Sequence, residues 1–105
     1  MQYVNLTPHA IHLNDGRVFP PSGTVARVSA KFVQVKNDPD LFSQEFGQVE
    51  GLPEASMNVR LIVSAIVLAA LGYSRIDAVA PATGHPDVKR NDKGQIVSVP
   101  GFVRA

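Results

Sequence analysis

From Leu61 to Leu71 the chain carries a single polar side chain, Ser64. A run this apolar must be buried, and it is too short for a bilayer, which takes about 20 apolar residues. It therefore predicts core. Its character changes midway: Val59, Ile62 and Val63 favour a strand, whereas Leu68-Ala69-Ala70-Leu71 favours a helix. Ser64 between them is a good N-cap, and Gly72 suits the position just past a helix end. The pattern predicts a strand over 59–63 and a helix over 64–71, in preference to one buried helix. A strand over Ile76–Ala80 would close a compact crossover, for which the helix is short.

Turns surround this run. With Gly 8 and Pro 8 in 105 residues, the chain is turn-rich, which favours strands over a helical bundle. Tyr3 to Leu13 carries strand formers interrupted at Pro8, where a strand must bend or lie at an edge. Asn14-Asp15-Gly16 predicts a hairpin returning through Arg17-Val18-Phe19. Thr24–Val35 is the longest strand candidate, a loop follows over Asn37–Asp40, and Leu41–Glu50 holds another strand. Val88–Val99 predicts a hairpin around Asn91-Asp92-Lys93-Gly94. The expected fold is a small β-rich single domain of α+β class over residues 1–105, with hairpins and one main short helix after a central strand.

Charge and composition remove several function classes. Lys+Arg 10 against Asp+Glu 9 leaves no broad positive field, so a nucleic-acid polymer is not an expected partner. The chain has no cysteine, hence no disulfide scaffold, thiolate nucleophile or Cys-based zinc site. The opening Met1-Gln2-Tyr3-Val4-Asn5 has no basic segment leading into an apolar one, so neither a secretory signal nor a membrane anchor is expected. That points to the cytoplasm.

Four groups of residues could carry chemistry. His9 and His12 are three apart in a strand-like segment, which puts them on opposite faces, so no shared metal is expected. Ser64 reads either as a plain N-cap or as part of an anion-holding helix start. Thr83 and Gly84, in the loop Pro81-Ala82-Thr83-Gly84-His85-Pro86, either approach a ligand or connect rigidly into the last hairpin. Lys89, Arg90 and Lys93, with Arg75 upstream, form a cationic cluster suited to phosphate, although Asp87 and Asp92 are interleaved. Neither a serine-hydrolase motif nor a phosphate-loop lysine is present. The residues alone predict a small β-rich domain with an anion-binding edge and identify no reaction.

The wording of the chain carries a resemblance. Val4-Asn5-Leu6-Thr7-Pro8-His9-Ala10-Ile11, Pro20 to Val28, Phe46 to Pro53, Ile62 to Val67, Val79 to Gly84 and Gly94-Gln95-Ile96-Val97 resemble blocks of a family of small phage and prophage proteins, the type-one Thoeris anti-defence sponges. The resemblance implies a non-enzymatic, cytoplasmic protein of an infected bacterium. It would bind cyclic ADP-ribose-type immune signals without cleaving them, in some members bind cyclic oligonucleotides at a separate site, and form a homo-oligomer. Arg90 matches a position where the resemblance implies a ligand-contacting arginine. Before Ile62-Val63-Ser64, where the family commonly has an aromatic suited to stacking on a base, this chain has Leu61 preceded by Arg60. The candidate ligand-binding residues are thus Arg90, Thr83, Gly84, Ser64, Arg75, Arg60 and His9, with no cofactor, metal or catalytic residue expected. The competing expectations are a phage structural or protein-interaction module without a small ligand, and a small enzyme that degrades cyclic nucleotides.

Overall fold

The apolar run becomes the middle of a four-stranded sheet. The computed structural model describes every residue, Met1–Ala105. The elements are β1 (Gln2–Asn5), β2 (Ile11–His12), β3 (Val18–Phe19), β4 (Ala30–Gln34), β5 (Phe42–Phe46), β6 (Val59–Ile62), α1 (Ala65–Leu71), β7 (Ala78–Pro81), β8 (Lys89–Arg90), β9 (Ile96–Ser98) and β10 (Phe102–Val103). The main sheet runs β1-β6-β7-β10. Its first three strands are parallel, and β10 pairs antiparallel to β7. The other strands form the hairpins β2–β3, β4–β5 and β8–β9. This is the small α+β fold with one short helix that the sequence predicts.

The break at Ser64 follows from its side chain. Its hydroxyl accepts from the Val67 N–H, starting α1, while Gly72 ends the helix at φ 54° and donates its N–H to the Leu68 carbonyl. The helix lies over one sheet face. Val67 and Leu68 pack with Leu61 and Val63 of the β6 segment, Ala78 and Ala80 of β7, and Leu6 and Ala26. The small side chains at 78 and 80 leave room for the helix. Alternation puts Ile62 and Val79 on the opposite face, and both are buried. Burial on both faces explains why Leu61–Val63 and Ala78–Ala80 read as continuous apolar stretches.

A buried amide shapes the bend at Pro8. The Asn5 Nδ2 group donates to the His9 and Phe19 carbonyls at 2.8 and 2.9 Å, and its Oδ1 accepts from the Thr7 N–H and hydroxyl. One side chain thus ties the end of β1 to the bend and to β3.

Two expected strands are shorter than predicted, and one strand was not expected. The segment Thr24–Val35 is a regular strand only over Ala30–Gln34. Before it, Ala26 is buried in the core and donates its N–H to the Leu6 carbonyl, which holds the chain against the body. The strand expected over Ile76–Ala80 begins at Ala78, because Arg75 and Asp77 close a turn. Phe102–Val103 adds an edge strand that the local pattern does not announce. No helix is long and apolar enough to cross a membrane.

Candidate functional site

On the sheet face away from α1, aromatic side chains from both edges meet. Tyr3 on β1 stacks on Phe102 of β10 with ring centroids 5.1 Å apart and planes at 27°. Phe19 of β3 completes the group, 5.0 Å from Tyr3 and 5.7 Å from Phe102. All three rings are half-buried, so part of each faces solvent. Arg60, paired directly across from Tyr3 in the β1–β6 register, donates from Nη1 to the Tyr3 hydroxyl at 2.9 Å. Its guanidinium carbon stands 5.8 Å from the Tyr3 ring centroid, within cation–π range.

This face opens into a shallow depression of about 600 Å³, whose walls include Tyr3, Phe102, Arg17, Arg60 and Arg104. No acidic side chain lines it. Arg17 is held by Asp15, whose Oδ2 lies 2.9 Å from its Nε, while Arg60 and Arg104 have no carboxylate partner. The Arg17 backbone N–H, helped by its guanidinium, lowers the Asp15 carboxyl below its ordinary range. The arrangement can stack a flat ring on an aromatic edge and neutralise phosphate oxygens with guanidinium forks.

The seven sequence candidates occupy separate places, and none of the main depressions is lined by two of them. Arg60 belongs to the aromatic face. Arg75 forms a two-point ion pair with Asp77, at 3.0 and 2.9 Å, and donates to the Pro53 carbonyl at 2.8 Å. The hydrogen bonds between Arg75 and Asp77 raise the Arg75 pKa and hold the Asp77 carboxyl below its ordinary value. Arg90 is exposed on β8 and braces its own hairpin by donating to the Gly94 carbonyl at 2.8 Å. Ser64 caps α1. Thr83 lines a groove with His12, Ile96 and Val99. Gly84 stands in open space without a positive φ. His9 is exposed on the Pro8 bend and contributes its carbonyl to Asn5 and Thr7. Ser64 and the Thr83-Gly84 loop follow the adjacent parallel strands β6 and β7, which places both at the same end of the sheet.

Tyr3, Arg17, Phe102 and Arg104 were not among the candidates. Arg104 two residues after Phe102 is the one local sign, since alternate residues of a strand share a face. No family model matches the chain, and neither the curated proteins nor the solved structures compared with it give a match.

Proposed function

We propose that the protein is a phage-encoded anti-defence protein that sequesters a cyclic nucleotide-type immune signal without cleaving it. The signal class is a cyclic ADP-ribose isomer or a cyclic oligonucleotide. The observation that carries this reading is the depression where Tyr3 and Phe102 stand among Arg17, Arg60 and Arg104 with no acidic wall residue. A ligand with a base and about two negative charges meets a stacking edge and several guanidinium donors there. Affinity without turnover asks for nothing more. The blocks from Val4–Ile11 to Gly94–Val97 that resemble the sponge family support the same reading.

Calorimetry against cyclic ADP-ribose, its linkage isomers, and cyclic di- and trinucleotides tests it. At least one ligand should bind the wild-type chain, and Arg60→Ala should weaken that binding. Absence of binding across the panel rejects the reading. A protein-interaction module is the second reading, and the exposed phenylalanines of the β4–β5 hairpin favour it.

A further inference from the structure

The three most exposed of the chain's large apolar side chains, Met57 at 90%, Ile76 at 89% and Tyr73 at 85%, stand at one end of the main sheet. Met57 comes two residues before β6, and Ile76 two residues before β7. These strands run parallel with Leu61 opposite Ala78, so both side chains stand where the strands begin. Tyr73 lies in the single helical turn Gly72–Ser74 that leads from α1 towards β7. Arg75 ties this end together. It pairs with Asp77 and donates to the Pro53 carbonyl at 2.8 Å, which links the approach to β7 with the approach to β6. One exposed apolar side chain is ordinary, whereas three grouped on a braced end mark a contact surface.

Charge and shape indicate what this surface meets. Tyr73 and Ile76 border a depression of about 170 Å³ together with Arg104. Ile76 also borders the larger depression that holds Arg17, Arg60 and Arg104. No acidic side chain lines either one: Asp77 is engaged by Arg75, and Glu54 lies outside both. Arg104 has no carboxylate partner. Apolar tips beside a free guanidinium complement an anionic lipid layer, whose phosphates attract the cation while the acyl boundary takes the apolar groups. Side chains this exposed project outwards, and a fluid lipid layer receives them without the shaped pocket that a protein partner would have to supply. Tyrosine suits such an interface, because its ring is apolar and its hydroxyl stays wet. We infer that the Met57–Tyr73–Ile76 end docks reversibly on an anionic phospholipid surface, with these three side chains in the headgroup boundary and Arg104 at a lipid phosphate. Docking of this kind lies on a bilayer and needs no spanning element. The inference does not depend on the nucleotide reading.

Vesicle co-sedimentation and fluorescence test it together. The chain has no tryptophan, so Tyr73→Trp places a single reporter on the surface. With vesicles of phosphatidylethanolamine and phosphatidylglycerol, the wild-type chain should co-sediment and the Tyr73→Trp emission should shift to the blue. Both effects should be weaker with phosphatidylcholine alone. Ile76→Ser should weaken the partition about tenfold, the change expected on withdrawing one large apolar side chain from a lipid layer. Both positions are exposed, so both variants should keep the fold. Leu41→Ser, at an exposed apolar position beside β5, should partition as the wild type does. A wild-type chain that ignores anionic vesicles overturns the inference, as does an Ile76→Ser chain that partitions equally well. Release of the chain by inorganic phosphate at the lipid's phosphate concentration would mark a plain anion site and overturn it. A blue shift that appears on concentrating the protein without lipid would assign the surface to a second copy, and also overturn it.

Discussion

Tyr3 and Phe102 sit on opposite edge strands of the four-stranded sheet, yet their rings stack at 5.1 Å. Three strand spacings, about 14 Å, separate such edges, so both side chains lean inward over the middle strands. They sit on the face where Ile62 and Val79 are buried, and they present ring surface beside Arg60. The same rings thus serve the core and the candidate site.

Arg60 is the most informative residue for ligand binding. Arg60→Ala should weaken an anionic ligand by about 1.5–3 kcal/mol, the range for hydrogen bonds to a charged partner. Because Arg60 is exposed, its thermal midpoint should barely move. Arg60→Lys should recover only part of the loss, since an ammonium lacks the planar two-point fork. Calorimetry and a thermal melt of each variant check both statements.

Gly84→Val separates two places for the site. A Cβ at Gly84 meets nothing within 4 Å, and the residue has no positive φ, so the fold should tolerate valine. With the ligand on the Tyr3–Phe102 face, Gly84→Val should bind as the wild type does. Loss of binding with an unchanged melt would move the site to the Thr83-Gly84 loop.

Asp77 should set part of the acid stability. Hydrogen bonds from Arg75 hold its carboxyl below the ordinary value, despite partial burial that acts the other way. A carboxylate depressed in the folded state adds stability that is complete above its unfolded pKa and lost as pH falls through its folded one. Asp77→Asn should therefore cost about 1.5 kcal/mol near neutrality. The gap from wild type should close below the ordinary carboxylate range. Urea denaturation across acid and neutral pH reads the gap directly, and a gap independent of pH would show that the ion pair contributes nothing.

Gly51→Ala should be among the most destabilising small substitutions. Gly51 has φ +81°, and a Cβ there would stand 2.5 Å from the Val25 carbonyl oxygen. Left-handed strain and a backbone clash together should cost about 2 kcal/mol or more. The clash falls where Arg27 and Glu50 bridge the base of the β4–β5 hairpin. Chemical denaturation checks it.

Local chemistry was legible where a few neighbouring residues decide the structure. Ser64 and Gly72 marked both ends of α1, and Asn14-Asp15-Gly16 and Asn91-Asp92-Lys93-Gly94 marked hairpins. Long-range pairing was not legible. Nothing in Gln2–Asn5 specifies β6 as its parallel neighbour, and β10 is two residues long. The bend at Pro8 was expected, but the amide of Asn5 that organises it looks locally like any loop asparagine. The candidate site suffered most. Arg60 was named from its position before Leu61, whereas its aromatic neighbour comes from Tyr3, across a strand pair, and from Phe102, near the other end of the sequence. Arg75 looked like a free cation in sequence and is instead engaged by Asp77 and Pro53.

Sequestration on the Tyr3–Arg60–Phe102 face is tested most directly by depletion and release. The wild-type and Arg60→Ala chains are each mixed with cyclic ADP-ribose isomers and cyclic oligonucleotides, the protein is removed by filtration, and the retained fraction is heated and chromatographed. The wild-type chain should deplete one ligand from the filtrate in proportion to protein and return it intact on heating, while Arg60→Ala leaves most of it in the filtrate. A filtrate that keeps every ligand, a ligand returned cleaved, or equal depletion by Arg60→Ala would contradict the account.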